Sequence, residues 1–173
     1  MPLGSDTKHY ETPNHPYQGE RINTEHGLLD RYGLKNKEEL WRAESALRSY
    51  RREARDLLAQ PQDDPAVQRR RREFVERLVR VGLLDDTDQL GDVLGLAVED
   101  VLERRLQTQV YRQGLANTPD QARQFIVHGH VTVEDQRLTR PSYVVDVAEE
   151  NTIGFDENSP LADDLHPERA EGQ

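Results

Sequence analysis

Leu102-Glu103-Arg104-Arg105-Leu106-Gln107-Thr108-Gln109-Val110-Tyr111-Arg112, followed after a short loop by Thr118-Pro119-Asp120-Gln121-Ala122-Arg123-Gln124-Phe125-Ile126-Val127-His128-Gly129-His130-Val131, is the stretch on which the fold turns. Leu102, Leu106 and Val110 recur at a spacing of four, which predicts a helix with one buried stripe. Val98-Glu99-Asp100 opens it with carboxylates at its positive end. Arg105, Gln109 and Arg112 fall on an adjoining stripe, and Arg104, Gln107 and Thr108 add further donors. Thr118-Pro119-Asp120-Gln121 is a capping box with proline at the first helical position. Ala122, Phe125 and Ile126 of that second helix point to a core, while Arg123, Gln124 and His128 stay outside. Gly129 suits the left-handed conformation that stops a helix. Val131-Thr132-Val133 alternates as a strand, Glu134-Asp135-Gln136 turns it, and Leu138 to Val145 is expected to add another strand or two, interrupted at an edge by Pro141.

Upstream the pattern is helical and arginine-rich. Asn36-Lys37-Glu38-Glu39 is a helix start, with Leu40, Ala43, Leu47, Tyr50, Ala54 and Leu57 on one buried face. Arg48, Arg51, Arg52 and Arg55 form a basic stripe on another face of that helix, which stops near Gln60-Pro61. Asp64-Pro65 restarts a helix that Gly82 ends, with Val67, Phe74, Leu78 and Val81 inward. Arg69-Arg70-Arg71-Arg72 makes it the most basic helix of the chain. Repulsion between such neighbours gains nothing without an anionic partner. Gly27 to Leu34 reads as a short apolar docking segment, and Leu90 to Leu96 as a small joining helix.

Composition supplies bounds. The chain has 173 residues, 34% of them hydrophobic, with no cysteine; its mean hydropathy is -0.92. Disulfides, thiolate metal sites and cysteine nucleophiles are therefore excluded. The six histidines lack metal-ligand spacing, so no metal and no cofactor are expected. No apolar run is long enough to span a bilayer, and Met1 to Glu20 carries no secretory h-region. Hydrolase, P-loop and dinucleotide fingerprints are missing, and no pair of carboxylates stands out for acid-base work, so a non-enzyme is expected.

Net charge is -10, which taken alone argues against a nucleic-acid partner. From Asp146 to the end, however, there are nine acidic residues and one basic, Arg169; the remainder holds 22 basic against 24 acidic. Only Lys8, Lys35 and Lys37 among the 23 cations are lysine. An acidic, lysine-poor chain suits a salt-rich cytoplasm, where the Debye length falls to about 3 Å at molar salt. Arginine and glutamine contact phosphate, ribose and base edges. Sparse aromatics favour folded RNA over stacked single strands.

The key stretch resembles the RNA-binding domain of the small-subunit ribosomal protein four family. The residues that carry the resemblance are Leu102, Arg104-Arg105-Leu106, Arg112, Leu115-Ala116, Ala122-Arg123-Gln124, Ile126, His128-Gly129-His130-Val131, Val133, Pro141-Ser142-Tyr143 and Val145. The block Tyr32-Gly33-Leu34-Lys35-Asn36-Lys37-Glu38-Glu39-Leu40-Trp41 is similar to the archaeal and eukaryotic branch. The residue pattern and the resemblance together predict an α+β chain: an extended arm over 1–21, an arginine-rich helical domain over 22–97, an RNA-binding domain of two helices and a short twisted antiparallel sheet over 98–148, and an acidic tail over 149–173, mostly unpacked but with Ile153, Phe155 and Leu161 able to dock on a neighbour. The resemblance implies a structural protein of the cytoplasmic ribosome that binds small-subunit rRNA early in assembly, nucleates the body of the subunit, and contacts small-subunit protein five at a surface tied to decoding accuracy. No membrane partner and no homo-oligomer are implied. By motif match, Arg104, Arg105, Arg112, Arg123, Gln124, His128 and His130 face RNA, and Gly129 sets their turn. Arg48, Arg51, Arg52, Arg55, Arg69, Arg70 and Arg72 join them from the helical half. The turn Glu134-Asp135 departs from the Asn-Gly or Asp-Gly pair of many relatives, and the zinc cysteines of some bacterial relatives are missing. The alternative is a free-standing RNA chaperone, or an RNA-modification adaptor, carrying the same domain.

Overall fold

In the N-terminal half of the computed structural model, which describes residues 9–169, three helices are set by their ends. Helix α2 (Lys37–Ala59) starts where Asn36 Oδ1 accepts the Glu39 N–H at 3.2 Å, and turns Leu40, Ala43, Leu47, Ala54 and Leu57 inward. Its last carbonyls meet no glycine cap. Arg71 of α3 (Pro65–Val81) takes them instead, donating Nε and Nη2 to Leu57 O at 3.0 and 2.6 Å and Nη2 to Gln60 O at 3.0 Å. Asp64 caps α3 through the Ala66 N–H, and Gly82, with φ at 82°, stops it. Leu47, Ala54, Phe74 and Leu78 close over the 3-10 turn Leu90–Gly95, where Val93 is wholly buried. Each buried leucine, valine or phenylalanine among them contributes about 1.5–3 kcal/mol of transfer free energy.

Helix α1 (Gly19–Tyr32) is longer than the apolar segment 27–34 suggested. Its inward face is interrupted by a carboxylate, and this masks the periodicity. Glu25, 3% exposed, accepts from Arg21 and from Trp41 Nε1 at 3.1 Å, with Lys37 Nζ at 3.3 Å. Burial pushes its carboxyl up, but these donors outweigh that and hold it below the usual range. The described part of the expected arm lies on α2: Tyr10 stacks on Trp41, and the Glu11 N–H donates to Ser45 Oγ at 3.0 Å. The rest of that arm, residues 1–8, and the last four residues of the tail lie outside the described residues.

One helix was expected through Leu102 to Arg112. There are two, α4 (Val98–Glu103) and α5 (Leu106–Arg112), because Arg105 is extended and bridges Val144. Leu106 N donates to Tyr143 O at 2.7 Å, Gln107 N to Pro141 O at 3.2 Å, and Val145 N returns a bond to Arg104 O at 2.9 Å. Residues 141–145 thus cap the first N–H groups of α5 and do not extend the sheet as expected. Helix α6 (Pro119–Val127) starts on Thr118 as anticipated, with Gln121 N donating to Oγ1 at 3.1 Å. It unwinds at Gly129, φ 76°, where His130 N reaches back to Phe125 O.

The sheet is antiparallel with strand order β2-β1-β3: β1 (Val131–Val133) lies between β2 (Gln136–Arg137) and β3 (Gly154–Phe155). Thr132 faces Arg137 on one side and Gly154 on the other. The third strand falls where an unpacked tail was expected. Ile153 and Leu161 are buried with Leu106, Val110, Ile126 and Val131, so the chain beyond Asp146 completes this core. Without β3, an edge of β1 would be left unpaired.

Val133 pairs with Gln136, leaving a two-residue turn in which Glu134 and Asp135 stand at φ 50° and 62°. Both positions favour Asn-Gly. Glu134→Asn with Asp135→Gly is expected to stabilise the fold by about 1 kcal/mol net, raising Tm by roughly 3 °C. Thermal unfolding checks it; an unchanged or lower Tm would show that the turn is not strained.

Candidate nucleic-acid interface

The donor-rich stretch Arg104 to Arg112 meets acceptors inside the protein. The break between α4 and α5 exposes helix-end carbonyls, and neighbouring side chains fill them. Thr108 Oγ1 donates to Leu102 O at 2.8 Å and Gln109 Nε2 to Glu103 O at 2.8 Å, while Arg104 Nη2 reaches Val145 O, in the segment that pairs with the break, at 2.8 Å. Arg104 also pairs with Glu150 and is only 11% exposed. Gln107 is fully buried, donating Nε2 to Gly33 O at 2.8 Å and to Pro119 O at 2.9 Å.

Arg105 and Arg123 come together on Glu39. Arg123 Nη2 and Nη1 reach its two oxygens at 2.6 and 3.2 Å, and Arg105 Nη2 lies 3.3 Å from Oε2. The Arg105 contact is an ion pair without hydrogen-bond geometry, since its Nε and Nη2 are buried with no acceptor. Arg105 is 7% exposed, so it faces the seam between the halves and presents no surface to a ligand. Burial drags its pKa down, Glu39 opposing and Arg123 reinforcing. Burial raises the Glu39 carboxyl, but hydrogen bonds from Arg123 and the charge of Arg105 bring it below the usual range. Tyr32, Leu34, Leu40, Ala43 and Leu102 pack beneath this seam.

At its edge, Glu103 accepts from Tyr32 Oη at 3.0 Å and from both Nε (3.1 Å) and Nη2 (2.7 Å) of Arg112. Burial and the Glu103 bond push the Tyr32 hydroxyl up to about 12; for Tyr143 the bond to Glu149 comes first, with burial adding to it, and the value is again about 12.

Gln124, His128 and His130 share a groove of about 450 Å³ with Leu161, His166 and Glu168. His130 Nδ1 sits 2.8 Å from Ser159 Oγ, and Gln121 Nε2 donates to Glu168 O at 3.0 Å. The acidic C-terminal segment therefore walls one side of the expected RNA-facing histidines.

In the helical half the arginines differ among themselves. Arg51 donates to Leu96 O, Arg55 Nε to Arg51 O at 3.2 Å, and Arg48 meets Ser45 and Glu11. Arg52 and Arg70 line an open groove of about 400 Å³ between α2 and α3; Arg70 touches the neutral Gln60 amide at 2.9 Å. Arg52, Arg69 and Arg72 are exposed and have no internal polar partner among the described residues. Those residues include no cluster of three or more His, Cys, Asp or Glu suited to a metal ion.

The S4 domain family model matches residues 104–151. The small ribosomal subunit protein uS4 of Natronomonas pharaonis is 67% identical over the full length of both chains. This chain belongs to the uS4 family. The uS4 of Haloquadratum walsbyi is 65% identical over all of this chain and 99% of its own, and that of Methanococcus aeolicus 49% identical over 95% and 93%. In this uS4 chain the domain match opens at the helix break, Arg104, and closes just before β3. Several relatives are from salt-loving archaea, in keeping with the acidic, lysine-poor composition. Sequence reasoning took Glu39 for a capping residue only. Its partner Arg123 lies 84 positions away, and nothing local announces that pairing.

Acid is expected to weaken the seam. Glu25, Glu39 and Glu103 are each held below their ordinary 4.5. Their contribution is complete above that value and is lost as pH falls through the lower folded values. For Tyr32 and Tyr143 the sign reverses: their contribution is complete below 10 and is lost as pH rises toward about 12. Unfolding free energy measured across pH at fixed KCl should therefore fall at both ends, and a flat acid limb would count against the carboxylate pairs.

Proposed function

We propose that this uS4 family member is a structural component of the small ribosomal subunit in the cytoplasm, without catalytic activity, that binds the subunit's rRNA directly. It joins early and nucleates the body of the subunit, and it meets small-subunit protein five at a surface that bears on decoding accuracy. Its full-length relatives carry the name small ribosomal subunit protein. The observation that carries the RNA reading is a group of exposed cations on α2 and α3, Arg52, Arg69 and Arg72, that have no polar partner among the described residues. Their donors are engaged by no hydrogen bond or ion pair among the described residues, and phosphate would satisfy them. Arg48, Arg51, Arg55 and Arg70 border this surface; Gln124, His128, His130 and Arg112 form a second one on the S4 domain. Arg104, Arg105 and Arg123 act behind it by holding the backbone that displays it. No helix among the described residues is long and apolar enough to cross a membrane.

Filter binding with transcripts of small-subunit and large-subunit rRNA, in about 2 M KCl where charge screening is strong, tests the reading. Selective binding of the small-subunit transcript is expected, together with co-sedimentation with small subunits after a high-salt wash. Equal affinity for both transcripts, or recovery in the soluble fraction alone, would reject it in favour of a general RNA chaperone.

A further inference from the structure

This inference deepens the rRNA-binding reading and rests on it. Glu39 belongs to the first turn of α2, in the helical half, yet its charge is neutralised from the S4 domain. Arg123 holds both carboxylate oxygens, and Arg105 stands 3.3 Å away. Lys35 N also donates to Oε2 at 3.2 Å. The network continues: Arg123 Nη1 donates to Gln107 Oε1 at 3.0 Å, and Gln107 Nε2 returns to Gly33 O and Pro119 O. A polar chain thus runs from the stop of α1 through α5 and α6 to the start of α2.

One carboxylate serves two guanidiniums here. Neutralising Glu39 does more than delete a bond, because it leaves two cations facing each other in a seam where Arg105 already has buried donors without acceptors. An uncompensated buried charge is strongly destabilising, so the seam would part before it tolerated that arrangement. The carboxylate also repels phosphate, so its place is behind the RNA surface.

We propose that Glu39 is a positioning residue for RNA binding: it touches no RNA, but by tying α2 to α5 and α6 it fixes the angle between the α2–α3 arginines and the S4-domain surface, so that one folded RNA engages both at once. Two surfaces held at the right span bind as one, and their joint affinity exceeds that of either alone by about 10²–10⁴-fold when the geometry is right.

The chain has no cysteine, so Ala59→Cys with Asn151→Cys places one spin label on each half. Interlabel distances, helical circular dichroism and affinity for the small-subunit transcript as a function of salt are measured with Glu39 intact, in Glu39→Gln and in Glu39→Asp. In Glu39→Gln the helical signal is expected to persist, the distance distribution to broaden, and affinity to fall by roughly 10–100-fold. The slope of log affinity against log salt should also shrink, by about 0.7–0.9 for each phosphate released with the disengaged surface. Glu39→Asp keeps the charge on a shorter stem and should fall between; it is the variant read if Glu39→Gln loses its helices. An undisturbed distance distribution overturns the proposal, as does a broadened one with the affinity and salt slope of the parent. A parent chain that does not bind the transcript overturns the functional reading as well, and is told apart because it fails before Glu39 is changed.

Discussion

Gly33→Ala is expected to cost about 3 kcal/mol of folding stability and to lower Tm by roughly 10 °C. Two separate effects add. Gly33 stops α1 at φ 59°, in the left-handed region where a Cβ costs about 1–2 kcal/mol. The added Cβ would also stand 2.8 Å from Gln107 Nε2 and 2.8 Å from Pro119 Cβ, with Asp120 Oδ1 at 3.0 Å. Asp120 is exposed and can swing aside, but the other two do not yield easily. Gln107 is fully buried and held by bonds to Gly33 O and Pro119 O, and the proline ring is rigid. The methyl group therefore pushes the end of α1 away from Gln107 and Pro119 of the S4 domain. Gly114→Ala separates the effects, since φ there is 75° but nothing lies within 4 Å of the added atom. It should show the backbone cost alone, about 1–2 kcal/mol. Equal losses in the two variants, read by thermal unfolding, would mean that the close approach at Gly33 is not under steric load.

What the sequence disclosed and what it hid divide along the range of the interactions. The starts of α2, α3 and α6 are written in single residues, Asn36, Asp64-Pro65 and Thr118-Pro119, and all three serve as read. Gly82 and Gly129 likewise stop their helices because the requirement for positive φ is local. The break at Arg104-Arg105 left no such mark. It exists because residues 141–145 pair with it, some 40 positions on, as the separation of 41 between Arg104 and Val145 shows. Strand β3 is two residues long and sits in a segment whose carboxylates suggested solvent; the sequence marks Ile153, Phe155 and Leu161 as able to dock, but not that they complete the core of their own domain.

The same distinction governs the site. Residue type identified donors correctly, but donors serve internal carbonyls as readily as phosphate. Arg105, Gln107 and Thr108 turn inward because the helix break and the Glu39 carboxylate lie beside them. Arg52, Arg69 and Arg72 stay outward on exposed helix faces and make no hydrogen bond or ion pair among the described residues. The exposed, unpaired arginine charge among the described residues is therefore narrower than a count of arginines suggests, and part of it lies on α2 and α3.

Replacing Arg52, Arg69 and Arg72 together by glutamine is expected to weaken binding of the small-subunit transcript by roughly 100-fold at about 0.2 M KCl, corresponding to about 1 kcal/mol per lost charged contact. Folding stability should change by no more than about 0.5 kcal/mol per site, because none of the three has a polar partner to lose among the described residues. The salt slope should become shallower by about 0.7–0.9 for each phosphate released. Arginine-to-lysine replacement at the same positions gives the sharper result. Lysine keeps the charge and the counterion release but loses the planar fork. At low salt the lysine triple should retain most of the affinity. Toward about 2 M KCl the electrostatic share fades, and only directional hydrogen bonding separates the side chains. There the lysine triple should lose nearly as much as the glutamine triple. A lysine triple that matches the parent at both salt concentrations would mean that these positions act through charge alone, and the scarcity of lysine on α2 and α3 would then have no explanation in RNA contact.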